Sequence, residues 1–192
     1  RCSTTKRVFK NALAPFLCVR KDGELHGRMV QLFTRLKDLD AVNKRGERRV
    51  GRGLDTSKGK QLLRDFAFTP SCIITEVLAC SLNYDFDTRT LSVTNFDIKN
   101  VSFPAGATHM ALTVGRLHFD FDTLEFSLKN STPLYMDKHY SATSFDMNTG
   151  LPEVGGLALA VLGLKFYQKV ENTYYLFKSA NALGVEVLGV GG

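Results

Sequence analysis

Tyr84-Asp-Phe-Asp-Thr-Arg-Thr-Leu-Ser-Val93 and Phe119-Asp-Phe-Asp-Thr-Leu-Glu-Phe-Ser-Leu128 align without a gap at an offset of 35 residues. In both, apolar and polar residues alternate, Asp-Phe-Asp-Thr closes one strand and opens a tight turn, and the chain returns in alternation. A period of two sorts side chains onto the two faces of a strand, so each decamer reads as a β-hairpin. Asp87 and Asp122 carry short acceptors suited to the turn amides. Phe145-Asp-Met-Asn-Thr-Gly150 reads as a third copy of the turn, with Gly150 supplying a positive φ. Internal duplication and repeated use of one turn chemistry both account for the likeness. Three divergent copies are too few for a solenoid.

The same period runs to the end of the chain. Residues 157–170 form a long strand that starts interior on both faces, 171–173 a hairpin turn, 174–178 its return and 183–190 a last strand. Seven to nine strands follow from this spacing, with no helix between them long enough for parallel crossovers. The expected fold is mainly β, an antiparallel β-sandwich of immunoglobulin-like or jelly-roll type over 65–192, with its strand order undetermined. A basic, partly helical segment over 1–64 precedes it. Within that segment Met29, Val30, Leu32, Phe33, Leu36 and Leu39 make one apolar stripe, which predicts a helix over 27–39. Residues 43–53 lack apolar periodicity and read as a loop. Asp55 or Thr56 caps a short helix leading to Leu62 and Leu63. Residues 1–25 show no clean period, Pro15 interrupts them, and the Lys21-Asp-Gly-Glu24 stretch is a turn. They read as an extended arm whose apolar anchors Phe9, Phe16 and Leu17 need a groove on a partner.

Charge is divided along the same boundary. Residues 1–64 hold 17 Lys+Arg against 6 Asp+Glu, and residues 65–192 hold 8 against 13, so the parts carry +11 and −5 within a total of +6. Such a partition suits a chain that grips an anion or docks on an acidic neighbour. A hydrophobic fraction of 44% supports a packed core, and 192 residues suffice for one domain and an extension. No run approaches the ~18–20 apolar residues of a membrane span. Cys2, Cys18, Cys72 and Cys80 show no metal spacing; a Cys72–Cys80 disulfide is conceivable in an oxidising compartment, but nothing in the spacing favours it over free thiols.

Candidate sites are few. Alternation puts Asp85 and Asp87 on one outward face and Asp120 and Asp122 likewise, a weak oxygen-rich candidate for a hard cation, against a simpler role as solvated turn formers. Paired carboxylates also suit glycoside hydrolysis, yet no cleft signal accompanies them. His26, His109, His118 and His139 are scattered, His118 facing outward on a strand, and no nucleophile elbow exists to organise a triad. The glycines of 46–53 and 57–60 do not match a phosphate loop. Lys44, Arg45, Arg48, Arg49 and Arg52 form the strongest cluster, suited to a partner protein or to a nucleic-acid backbone. Interleaved aromatics, which single strands would stack on, are missing between residues 34 and 65.

Leu39-Asp-Ala-Val-Asn-Lys-Arg-Gly-Glu-Arg-Arg-Val-Gly-Arg-Gly-Leu54, then Gly59-Lys-x-Leu-Leu-Arg-Asp-Phe-x-Phe68, Phe103-Pro-Ala-Gly-Ala-Thr-His109 and Leu164-x-Phe-Tyr-Gln168 resemble a group of uncharacterised bacterial proteins of similar length. The resemblance spans most of the chain and implies no activity. In layout alone, a basic arm before a β-domain is similar to small viral coat proteins. The expectation is a non-enzymatic, self-assembling structural subunit without a cofactor, whose basic arm docks on the acidic β-domain of a neighbour in a filament, ring or shell. Nucleic-acid binding or packaging through residues 44–60 is the alternative, and a carbohydrate- or surface-binding sandwich with exposed Tyr and Asp is the third.

Overall fold

The computed structural model describes residues 2–17 and 23–191. Cys18, Arg20 and the Lys21-Asp22 half of the predicted turn lie outside the described residues. In chain order the helices are α1 (Cys2–Ala12), α2 (Ala14–Leu17), α3 (Leu25–Asp38), α4 (Val50–Leu54), α5 (Ser57–Arg64) and α6 (Ile74–Leu78). The strands are β1 (Ser81–Asp85), β2 (Thr90–Thr94), β3 (His109–Phe119), β4 (Phe126–Asn130), β5 (Leu134–Asp137), β6 (Phe145–Asn148), β7 (Leu157–Val170), β8 (Thr173–Leu176) and β9 (Leu183–Gly191). The fold is therefore mainly β with a few helices, and every strand pair is antiparallel.

Two sheets form. One has the order β1-β2-β6. The other is built on β3 and β7, which pair along eleven residues from His109↔Tyr167 to Phe119↔Leu157. On the far edge of β3, β4 pairs with Gly115–Phe119 and β5 with His109–Leu112. Along β7, β9 pairs with Ala158–Lys165 and β8 with Tyr167–Val170.

Alternation gives this larger sheet two apolar faces. Met110, Leu112, Val114, Leu162, Leu164 and Phe166 join Leu91, Val93 and Met147 of the small sheet and Ile74 and Leu78 of α6 in one core. Leu117, Phe119, Leu159 and Val161 face the other way and join Phe9, Leu13, Phe16, Met29, Phe33 and Leu36 in a second. A strand apolar on both faces must be covered on both, and here the small sheet takes one side and the helices the other.

The extended arm expected over residues 1–25 is not what the chain forms. Phe9, Ala12, Leu13, Phe16 and Leu17 recur at helical spacing, and all five are buried in the chain's own core. Pro15 does not block this, because it stands in the first turn of α2, where a missing N–H costs no hydrogen bond. Phe9 lies edge-on to Phe33 of α3 at 5.5 Å and to Phe119 of β3 at 5.3 Å. Phe16 rests on the sheet where two glycines leave room: a Cβ on Gly163 would stand 2.5 Å from its ring, and one on Gly115 2.8 Å. The groove that these anchors require is present in the same chain.

The repeated hairpins hold in part. Leu82–Tyr84 pair with Leu91–Val93, Leu117–Phe119 with Phe126–Leu128, and both turns carry a left-handed residue at the same place, Arg89 (φ 59) and Leu124 (φ 65). Asp85 and Asp120, rather than Asp87 and Asp122, accept the turn amides: Asp87 N at 2.8 Å and Thr88 N at 3.3 Å from the first, Asp122 N at 2.7 Å and Thr123 N at 3.0 Å from the second. The proposed third copy is instead strand β6, paired with β2, and Gly150 is not among the positive-φ residues. The loop expected over 43–53 contains α4, which lies against α3 because Gly53 has no Cβ to strike the Leu36 carbonyl.

Removing the Phe16 ring is expected to lower stability by ~3–5 kcal/mol, as for other buried aromatic truncations. Because the seat is intramolecular, the urea midpoints of parent and Phe16→Ala in high salt, where charge-mediated contacts between copies are screened, are expected not to move with protein concentration. A midpoint that rises with concentration would place the ring in a neighbouring subunit.

Candidate functional site

Asp40 organises the basic loop. It follows α3, its side chain is 1% exposed, and its carboxylate accepts from Val42 N and Asn43 N at 3.0 Å, Arg49 N at 2.8 Å and the Asn43 amide at 2.7 Å. The Asn43 side chain, then the Arg49, Asn43 and Val42 backbone amides, hold the Asp40 carboxyl well below the usual carboxylate range, against burial acting the other way. A charge-rich loop thus gains a fixed shape from one carboxylate. The sequence reading missed Asp40; an Asp directly after a helix and before an Asn is the signal that was there.

The loop presents Arg48, Arg49 and Arg52 beside carboxylates of the same chain. Arg48 is 3.9 Å from Asp38, Arg49 3.3 Å from Asp122 at the tip of the β3–β4 turn, and Arg52 3.4 Å from Asp55. These pairs are largely exposed, so solvent screens them and each is worth little. Lys44 and Arg45 are exposed and have no ion-pair partner among the described residues. The structure thus brings Arg48 and Arg49 together with Lys37, Thr4 and Thr5 around a concavity of about 240 Å³, floored by Val50, Phe121 and Leu124. Arg52 opens onto a separate hollow beyond Asp122. Phe9, Phe16 and Leu17, at 0%, 2% and 8% exposure, are not offered to any partner.

The four aspartates do not gather. Asp85 and Asp87 belong to the small-sheet hairpin, Asp120 and Asp122 to the large-sheet hairpin, and no group of His, Cys, Asp or Glu among the described residues could hold a metal ion. The Asp85 and Asp120 carboxyls lie below their ordinary range because they accept turn amides, which is a structural role. His118 is not an outward surface residue but half-buried, its Nδ1 2.8 Å from the Val154 carbonyl and its Nε2 accepting from Arg116 Nε at 3.0 Å. Cys72 and Cys80 are free thiols, and burial first, then Glu186, pushes the Cys72 thiol up to about 11.

The edge of the large sheet is partly closed. The Thr69 hydroxyl accepts from Val185 N at 2.8 Å, which occupies that amide on the outer edge of β9, and donates its proton to the Cys72 carbonyl at 3.1 Å. At the far end of the sheet Tyr135, Tyr167 and Tyr174 pack together at 4.5–5.9 Å between ring centroids, with Lys169 Nζ 5.2 Å above Tyr174. No helix among the described residues is long and apolar enough to cross a membrane. No family model, curated protein or solved structure matches the chain.

The Asp40 contacts set a pH dependence. Its folded pKa is depressed below the ordinary 3.8, so its stabilisation is fully present above 3.8 and is lost as pH falls through the folded value. Asp40→Asn is therefore expected to unfold more easily at pH 7 and to show a flatter loss of stability in acid. Parallel acid limbs for parent and variant in urea titrations between pH 6 and 2 would contradict this.

Proposed function

We propose that the chain is a non-enzymatic structural subunit that assembles with copies of itself, the basic helical layer of one subunit lying on the acidic sheet face of the next. The observation that carries this reading is the sorting of charge by layer. Exposed Arg7, Lys10, Arg35, Lys44, Arg45 and Lys58 stand on the helical segment that covers one side of the large sheet. On the other side, the small sheet turns Leu91, Val93 and Met147 inward and leaves Asn83, Asp85, Ser92, Asp146 and Asn148 at the surface, with no Lys or Arg within its strands. Asn83, Ser92 and Asp146 lie side by side in register, a row of short acceptors facing away from the core.

Opposite charge on opposite sides favours head-to-tail contact, which closes into a ring or continues as a filament. The apolar layer shared by the two sheets supports a sandwich reading of the β part, with residues 2–17 and 23–64 as its basic covering rather than a reaching arm.

Nucleic-acid binding is the second reading. It is favoured by Lys44 and Arg45, which are exposed and unpaired within the described residues.

Light scattering after size exclusion tests the first reading. Assemblies are expected at low salt, dissociating as ionic strength screens the contact, and Asp146→Lys, which leaves the Asp85 turn contacts intact, is expected to dissociate at lower ionic strength than the parent. A parent monomer at high concentration and low salt would reject self-assembly. A 260 nm absorbance component stripped by salt would favour nucleic acid.

A further inference from the structure

We propose that the concavity between α1, α3, the 41–49 loop and the β3–β4 turn is a binding site for a phosphate monoester, a small ligand with a dianionic head and a short apolar stem. Three cationic side chains line it: Lys37 at the end of α3, and Arg48 and Arg49 from the loop that Asp40 shapes. One carboxylate, Asp122, is also in the wall and is held by Arg49 at 3.3 Å. Asp38 lies 3.2 Å from Lys37 and 3.9 Å from Arg48, so the cluster as a whole keeps one positive charge in excess, which favours an anion.

Arg48 supplies the most specific indication. Its Nε is buried and has no hydrogen-bond acceptor in the protein, and its nearest carboxylate, Asp38, is at 3.9 Å. The Nε itself is enclosed, but a third of the Arg48 side chain is exposed, so its Nη groups can donate to a tetrahedral oxyanion in the concavity. The Phe121, Leu124 and Val50 side chains provide apolar wall for a carbon stem. A volume of about 240 Å³ accommodates a terminal phosphate with a few attached atoms, whereas a diester chain must enter and leave. The site lies on the subunit's own helices and turn, so it does not depend on assembly.

Phenyl phosphate, inorganic phosphate and dimethyl phosphate, titrated calorimetrically against the parent chain, test it. Saturable binding is expected with phenyl phosphate tightest and dimethyl phosphate weakest. Arg48→Gln and Lys37→Gln are each expected to weaken phenyl phosphate binding by roughly tenfold or more, the scale of a charge-assisted hydrogen bond. Lys44→Gln, on the same loop but outside the lining, is expected to bind as the parent does, and so is the Asp146→Lys chain. Melting curves establish that each variant is folded, and Lys37→Gln keeps the test open if Arg48→Gln is not. No saturable binding overturns the proposal. Equal binding of dimethyl phosphate overturns it in favour of a nucleic-acid backbone contact, and equal weakening by Lys44→Gln reduces it to diffuse attraction.

Discussion

Everything in this fold follows from a pair of strands that cannot be left bare on either side. β3 and β7 share eleven paired residues, and both alternate between one apolar set and another rather than between apolar and polar. Burying only one face would leave Leu117, Phe119, Leu159 and Val161 in water, at ~1.5–3 kcal/mol for each large side chain. The small sheet covers one face. The other is covered by the basic, helical third of the chain, and Phe16 locks that cover at Gly115 and Gly163, where the sheet surface is dented for want of two side chains.

That packing accounts for how charge comes to be distributed. A helix seated on a sheet by an apolar stripe turns its remaining residues to solvent, and in α1, α3 and the 41–49 loop the charged ones among those residues are mostly Lys and Arg. The small sheet faces its own apolar row inward and leaves short oxygen-bearing side chains outside. Polarity along the sequence becomes polarity across the molecule. One feature is local: Asp40 draws four donors to a single buried carboxylate and so sets where Arg48 and Arg49 stand.

Much of the β part was legible because period-two alternation and turn chemistry are local. The paired decamers and the bounds of β7 appear as read, the turn read over 171–173 shortens by one because Thr173 already pairs in β8, and of the two caps offered for α5 Thr56 is used, accepting from Gly59 N at 3.0 Å. What was not legible depended on distance. Nothing near Phe9 says that Phe33 and Phe119 will meet it, and Pro15 suggested a break where α2 begins. Asp85 and Asp87 are equivalent by alternation, and only the geometry of the turn selects Asp85 as the acceptor. The arginines of the basic cluster looked alike in sequence. In three dimensions Arg48 and Arg49 share one concavity, Arg52 opens onto another, and Arg45 stands in solvent.

The central claim is that the helices and the large sheet form one cooperative unit within a single chain. Native-state hydrogen exchange tests this most directly, because it reports the opening free energy of each element separately. Amides of Phe9–Leu13 and Leu32–Leu36 are expected to exchange through the same global opening as the central residues of β3 and β7, and to lose protection together with them in mild denaturant. Helices that exchange far faster while β3 and β7 stay protected would show a detachable segment and contradict the account.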